Sequence, residues 1–348
     1  MRVAVLSYYG FEMVKGGTEL FTEQLRRAFP DLVTITFEDS GRTSLPILDR
    51  LNLKEVWMGA SIGRHFRRLC KEEGFDLILC NSTAGWWLSI FRPRAPMVNV
   101  FHYTSIGFAE GTLHGTPGFL PTRYMMPLLE KLTSFSKHNV AVSPKVQREL
   151  ADRYGIRSQV IVNGVDVELF APRDKVEARR MLGIEHDGPV AIFVGRADRT
   201  KGFDLVREVA ARREDLRVLC VTSSEVEGKN LIVRRNVPHD LMPLHYCAAD
   251  LLLFPTHYEA CSYTPFEAMA CDVPVVTSRT GIFEDLEDDR VGVVVPSFDV
   301  EHHLAAIDEV LARELHPRTV VMESFSLERF AEQYREMATR LVAERSKR

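Results

Sequence analysis

No stretch of the chain approaches twenty consecutive apolar residues, so no membrane-spanning helix is expected. The sequence also lacks a Cys-x-x-Cys pair, a low-complexity segment and a short repeat. Its six cysteines, Cys70, Cys80, Cys220, Cys247, Cys261 and Cys271, sit in or beside apolar runs without paired histidines. That placement points away from a zinc site and from a disulfide framework, and a reducing cytoplasm is the default. The opening MRVAVLSYYG is too short and too strand-like for a signal peptide. A large excess of one charge is missing too: 44 Lys+Arg face 48 Asp+Glu, a formal net charge of −4. The balance is +3 over residues 1–170 (20 basic against 17 acidic) and −7 over residues 171–348 (24 against 31), which argues against a nucleic-acid partner. One basic cluster, Arg64, Arg67, Arg68 and Lys71 with Phe66 and Leu69, is either a solvated helix face or a contact for an anionic membrane.

What is present is the pattern of an α/β protein. With 348 residues, 45% apolar and 26% charged, the chain has globular composition and the length of two domains. Short apolar runs read as buried strands at Met1–Tyr9, Leu32–Phe37, Asp76–Cys80, Met97–His102, Val190–Val194, Leu216–Thr222, Leu231–Arg234 and Val291–Val295, with helical stretches between them. Gly16-Gly17-Thr18-Glu19 opens a helix through Phe29, with Leu20, Phe21, Leu25 and Phe29 at helical spacing. A strand, glycines and a helix start can cradle a phosphate, though a Gly-Gly pair is as often a turn. Trp86 and Trp87 read as core or as a binding platform, and Tyr103 to Pro127 as a long glycine-rich loop of the lid kind. From Ser326 a helix carries Leu327, Phe330, Tyr334, Met337 and Leu341 on one face.

The most informative stretch is DLLLFPTHYEACSYTPFEAMACDVPVVTS, residues 250–278. Leu251–Phe254 and Val273–Thr277 read as buried strands. Between them, Thr264 is the expected N-cap of a helix, Pro265 its first residue, and Glu267 the partner in a Thr-x-x-Glu capping box. Strand, loop, helix and strand in this order place Glu259 and Glu267 beyond the carboxyl end of a parallel sheet, where ligands bind. The helix start favours a phosphate, and the acids can accept hydrogen bonds from sugar hydroxyls.

These residues resemble the signature of retaining GT-B glycosyltransferases of the large nucleotide-sugar-dependent family 4. Glu259 and Glu267, separated by seven residues, then Ala268-Met269-Ala270 and Pro274-Val275-Val276 match it. The resemblance implies two Rossmann-like, doubly wound parallel-sheet domains facing each other across a cleft: an acceptor-side domain over residues 1–170 and a donor domain over 171–325. A terminal helix over 326–348 would cross back to the first domain. It also implies that Glu259 binds hydroxyls of the donor sugar and Glu267 the ribose. Gly195-Arg196 and Lys201-Gly202 match the motif whose basic residues bind the phosphates, and Asn163-Gly164-Val165-Asp166 matches the segment at the domain junction. Gly16 and Gly17 would turn backbone amides to the diphosphate, and His102, at a strand end, would lie beside the donor sugar. Backbone groups at Asn236 and Val237 would read the base, with Ser262, Tyr263 and Thr264 as further donor contacts. The loop from Tyr103 would serve the acceptor.

Two departures stand out. The family writes Gly-Phe-Gly where this chain has Ala260-Cys261-Ser262, which narrows or reshapes the expected donor pocket. Asp272 replaces a glycine at a helix end, a milder change. The implied activity is a retaining, hexosyl-type transfer from a UDP-sugar or GDP-mannose to a sugar, lipid or small-molecule acceptor. Asp-x-Asp is absent, so no required metal is expected, and no cofactor beyond the nucleotide-sugar. Two other readings stay open: a nucleotide-sugar-binding protein with little or no activity, and a nucleotide-sugar epimerase on the same plan. The expected location is cytoplasmic, with the inner membrane face as a peripheral site if the basic cluster is used.

Overall fold

A computed structural model describes residues 1–11, 16–43 and 53–347. The chain divides into two compact units, Met1–Asn163 with Glu328–Arg348, and Gly164–Leu327.

The first unit holds the strands β1 (Val3–Leu6), β2 (Val33–Ile35), β3 (Leu77–Asn81), β4 (Met97–Phe101), β5 (His138–Ala141) and β6 (Gln159–Val160), in sheet order β2-β1-β3-β4-β5-β6. Every pairing is parallel. The central strands are buried at every position, and apolar at all but Asn81 and Asn99, because helices cover both faces of such a sheet. From β1 the chain steps outward to β2 and returns to β3 on the other side, so the strand order reverses between β1 and β3. The helix Gly17–Ala28 buries Phe21 and Leu25, and the helix Lys54–Glu72 buries Met58, Ile62 and Phe66. The helix Leu327–Ser346 sets Phe330 and Tyr334 against Phe21, with ring centroids 5.6 and 5.8 Å away.

The second unit repeats the plan with β7 (Val190–Val194), β8 (Arg217–Thr222), β9 (Leu231–Arg235), β10 (Leu251–Phe254), β11 (Val275–Ser278) and β12 (Gly292–Val295). Its parallel order is β12-β11-β10-β7-β8-β9, and the reversal falls between β7 and β10. A core of Ala191, Phe193, Val206, Leu219's neighbours Val218 and Cys220, Leu251 and Ile307 fills the space between sheet and helices.

Two expectations need correction. The stretch from Tyr103 is helical rather than a long irregular loop: Thr104 caps the helix Ser105–Thr112 by accepting from Gly107 N at 3.1 Å, and the helical turn Pro121–Met125 runs into Met126–Ser134. Gly107, a turn signal in sequence, lies against the Glu149 carboxylate where a Cβ would collide. β1 stops at Leu6, short of Tyr9, although Ser7 N still donates to Ile35 O at 3.0 Å and Tyr8 O still accepts from Phe37 N at 3.2 Å.

Candidate functional site

In the second unit, the loops that follow β7 and β10 flank the point where strand order reverses. They are joined tightly. Gly202 has a left-handed φ of 67°, and a Cβ there would overlap the carbonyl of Pro255. No other residue meets both demands without strain. Thr200 O then accepts from His257 N at 3.0 Å and from Thr256 Oγ1 at 3.1 Å. This seam brings Lys201 Nζ and Glu259 Oε1 into a direct ion pair, with Thr256 Oγ1 3.2 Å from the same oxygen. The third loop, after β11, holds Glu259 from behind. Thr280 Oγ1 accepts from Glu259 N at 3.1 Å, and Gly281 leaves room for the Glu259 Cβ. Their side chains are only 24% and 15% exposed, so the pair is set, though water still reaches it.

Arg196 does not join that pair. Its Nε donates to Asp198 Oδ2 at 2.7 Å and its Nη2 to Thr200 Oγ1 at 3.3 Å, which leaves the side chain 64% exposed. Partial burial alone would raise the Asp198 carboxyl. Hydrogen bonds from Thr200 and Arg196 outweigh it and hold that carboxyl below its ordinary value.

The helix after β10 starts earlier than the capping-box pattern indicates. It spans Tyr263–Ala270 with Ser262 as N-cap, so Thr264 lies inside the helix and Pro265 in its third position. Ser262 makes no side-chain cap bond. Glu267 does not fold back on the helix start either. His239 Nε2 lies 2.8 Å from its Oε1, and the Tyr246 hydroxyl donates to its Oε2 at 2.7 Å. Burial first, and then the Glu267 charge, push the Tyr246 phenol well above its ordinary value, so it remains a donor. The capping box therefore gives way to a tertiary network, because a carboxylate that is 6% exposed gains more from two side-chain donors than from one backbone amide.

The Ala260-Cys261-Ser262 departure costs no backbone strain. Ser262 has φ −75° and ψ 140°, and neither Ala260 nor Cys261 is left-handed. Asp272 does adopt a left-handed φ of 62°, at the helix end where a glycine was expected. Asn236 has φ 53°, its N–H bonded to Thr222 O at 3.2 Å, and Val237 follows it at the end of β9.

In the first unit, Gly16 is the N-cap of Gly17–Ala28 with no side-chain cap bond. His102 directly follows β4. Asn81 Nδ2 donates to Thr22 Oγ1 at 2.8 Å, which turns Asn81 Oδ1 toward His102 Nε2 at 3.2 Å. That arrangement puts the ring proton on Nε2 and leaves Nδ1 as an acceptor. Burial lowers the His102 pKa to about 4, so the ring is neutral at pH 7. Trp86 donates from Nε1 to Val56 O, and Trp87 stacks on Phe91.

The structure thus joins Lys201 to Glu259 and holds Arg196 and Glu267 through other partners. His239, Tyr246, Thr256, Asn81 and Thr22 were not singled out from sequence. Their roles depend on contacts 3 to 59 residues away in the chain, and no local pattern marks them. Among the described residues no group of His, Cys, Asp and Glu is placed to hold a metal ion, and no helix is long and apolar enough to cross a membrane.

Two doubly wound parallel sheets, each with its loops gathered at a strand-order reversal, define the GT-B class of fold. Residues 15–169 match the glycosyltransferase family 4 model and residues 174–324 the model for glycosyl transferases group 1. The chain belongs to this glycosyltransferase family. It resembles D-inositol 3-phosphate glycosyltransferase of Geodermatophilus obscurus, with 33% identity over 53% of this chain and 47% of that protein. The protein of the same name from Segniliparus rotundus is 33% identical over 65% of this chain and 55% of its own length. The chain spans about half the length of the curated relatives it matches. Among solved structures it resembles sucrose-phosphate synthase from Thermosynechococcus elongatus, with TM-score 0.83, 20% identity and 99% of both chains covered. Anabaena HepE in complex with UDP-glucose gives TM-score 0.73 and 19% identity, over 97% of this chain and 99% of that one. At these identities the two structures speak to fold.

Proposed function

We propose that this protein is a retaining, hexosyl-type glycosyltransferase that moves a sugar from a nucleotide-sugar to an acceptor. The observation that carries the reading is the Lys201–Glu259 pair at the strand-order reversal of the second sheet, clamped by three loops. An acid whose lone pairs face a ligand-binding edge can take sugar hydroxyls, and the adjoining ammonium can meet a phosphate. The reading gives donor binding to residues 171–325, acceptor binding to residues 1–170, and a returning helix to 326–348.

As the glycosidic bond to phosphate breaks, negative charge grows on the diphosphate and the sugar becomes oxocarbenium-like. Arg196, Lys201, the amides at Ser262–Thr264 and those at Gly16-Gly17 would stabilise the leaving group. Glu259 would orient the sugar, Glu267 would take the ribose hydroxyls, and Asn236-Val237 would meet the base. Neutral His102 would accept a sugar hydroxyl at Nδ1. Attack from the face the phosphate leaves, with that phosphate taking the acceptor proton, gives retention without a covalent enzyme intermediate. No metal is needed in this scheme, since the basic side chains and amides meet the charge. UDP-sugars are favoured by the likeness to a protein seen with UDP-glucose, and GDP-mannose is the other candidate. The location proposed is cytoplasmic and peripheral to a membrane, supported by the free cysteines and by the basic face of the helix Lys54–Glu72.

Thermal shift against a panel of nucleotide-sugars, followed by donor hydrolysis without acceptor, tests the reading. Stabilisation by one donor with slow release of free sugar supports it. Binding without any turnover would favour a non-catalytic binding protein, and a changed sugar still joined to nucleotide would favour an epimerase.

A further inference from the structure

The first unit carries a second surface that the proposed chemistry does not use. Arg64, Arg67, Arg68 and Lys71 lie along the helix Lys54–Glu72, and Arg92 and Arg94 lie in the turn before β4; all are exposed. Among the described residues none of these has a carboxylate partner. Arginines elsewhere, such as Arg179, Arg212, Arg213 and Arg290, each have at least one. The unpaired cations are interleaved with exposed apolar groups: Ile90 is 53% exposed, Phe91 39% and Phe135 59%. Aromatic rings hold three guanidinium groups in place, Arg64 over Trp87 at 4.9 Å, Arg67 over Phe91 at 5.2 Å and Arg92 over Phe135 at 4.9 Å. Beside them a cavity of about 900 Å³ is lined by the partly exposed Cys70, Phe75, Pro93 and Ala95 together with Arg67, Lys71, Arg92 and Arg94.

We propose that this face docks the protein on the surface of an anionic lipid bilayer. Cations left unpaired at a protein surface keep their full attraction for phosphate headgroups. Aromatic and aliphatic side chains set among them can enter the boundary between headgroups and acyl chains, where such mixed side chains are stable. The exposed parts of Phe75, Pro93 and Ala95 in the cavity offer an apolar contact for part of one lipid. The cavity opens at the amino-terminal edge of the first sheet, by the starts of β3 and β4, whereas Gly16-Gly17 and His102 lie at the opposite, carboxyl edge. Docking there leaves the carboxyl edge uncovered, whatever the acceptor is. The proposal gives the peripheral location a definite surface and does not depend on the donor assignment.

Co-sedimentation of the full chain with vesicles of phosphatidylcholine alone, or with phosphatidylglycerol added, is the test. The protein should pellet with the anionic vesicles only, and less so as salt is raised. Arg67→Glu with Arg92→Glu should lower partitioning at least about ten-fold, since each cation near such a surface contributes roughly five-fold. Arg180→Glu with Arg207→Glu, the same charge change in the second unit, should leave it unchanged, with circular dichroism checking the fold of both variants. Phe91→Ser with Phe135→Ser should weaken binding while keeping its salt dependence. Equal binding to both vesicle types, no binding to either, or an equal loss in the control variant would overturn the proposal. So would capture of a short RNA duplex through Arg67 and Arg92 while vesicles are ignored.

Discussion

The Lys201–Glu259 pair can be split into its structural and chemical parts by a double-mutant cycle. Removing one member of a fully buried ion pair costs about 3–5 kcal/mol, because the other charge is left without a partner. Here the side chains keep 24% and 15% exposure, so water can take over part of that task. A loss of about 1–3 kcal/mol is expected for Lys201→Ala, with a smaller loss for Glu259→Ala because an ammonium reaches solvent more easily. At about 2–4 °C per kcal/mol for a unit of this size, Lys201→Ala should lower the melting point by roughly 2–12 °C. The double variant removes both charges and should regain a large part of that loss. Activity should not return with stability. If Glu259 orients the sugar and Lys201 meets the phosphate, all three variants should lose about two orders of magnitude or more in turnover. Differential scanning fluorimetry and donor turnover on the same samples decide it. A double variant as active as the wild type would reduce the pair to a structural clamp. Single variants with unchanged stability would refute the burial argument itself.

Tyr246→Phe and His239→Ala each take a hydrogen bond from a buried carboxylate and should raise KM for the donor about ten-fold, with kcat less affected. An unchanged KM would separate Glu267 from donor binding. Turnover should survive chelation; activity lost with chelator and restored by manganese would refute the metal-free scheme. Two buried groups in the first unit give opposite pH slopes in urea unfolding. His102 has a folded pKa of about 4 against an ordinary 6.5, so its contribution to stability is complete above pH 6.5 and is lost as pH falls toward 4. At pH 4.5 that loss is at most about 2–3 kcal/mol, and His102→Gln should remove it. Glu130, 3% exposed, is pushed by burial to about 7 from an ordinary 4.5, so it favours the fold at low pH and weakens it as pH rises through that window. Glu130→Gln should therefore stabilise the protein at pH 8 by up to about 3 kcal/mol and do little at pH 5. A Gln variant with the wild-type slope would place the titration elsewhere.

The alternation of strands and helices could be read directly, because a parallel sheet covered on both faces demands short, wholly apolar runs. Gly202 was legible as part of a motif, but its reason appears only in the structure: a left-handed turn pressed against the Pro255 carbonyl. Where sequence reasoning failed, a local rule competed with a distant contact. Thr264 and Glu267 have capping-box spacing, yet Glu267 is taken by His239 and Tyr246, 28 and 21 residues earlier. The glycines after Tyr103 looked like loop signals, yet Gly107 is small because Glu149 lies on it. Spacing cannot announce partners so far away.

The Ala260-Cys261-Ser262 segment shows how a departure from a family pattern can be read physically. A glycine is required for a left-handed φ or for a backbone approach that a Cβ would block. The first reason does not apply, since all three residues have ordinary backbone angles here. The second applies in mirror image: the glycine lies across the contact, at Gly281, whose missing Cβ admits the carbonyl of Ala260 and the Cβ of Glu259. The room that Glu259 needs is thus supplied by the loop after β11. Gly281→Ala, with φ 63° and contacts near 3.2 Å, should then disturb Glu259 more than Ala260→Gly does. Donor turnover in the two variants measures the difference, and a larger loss in Ala260→Gly would return the burden to that segment.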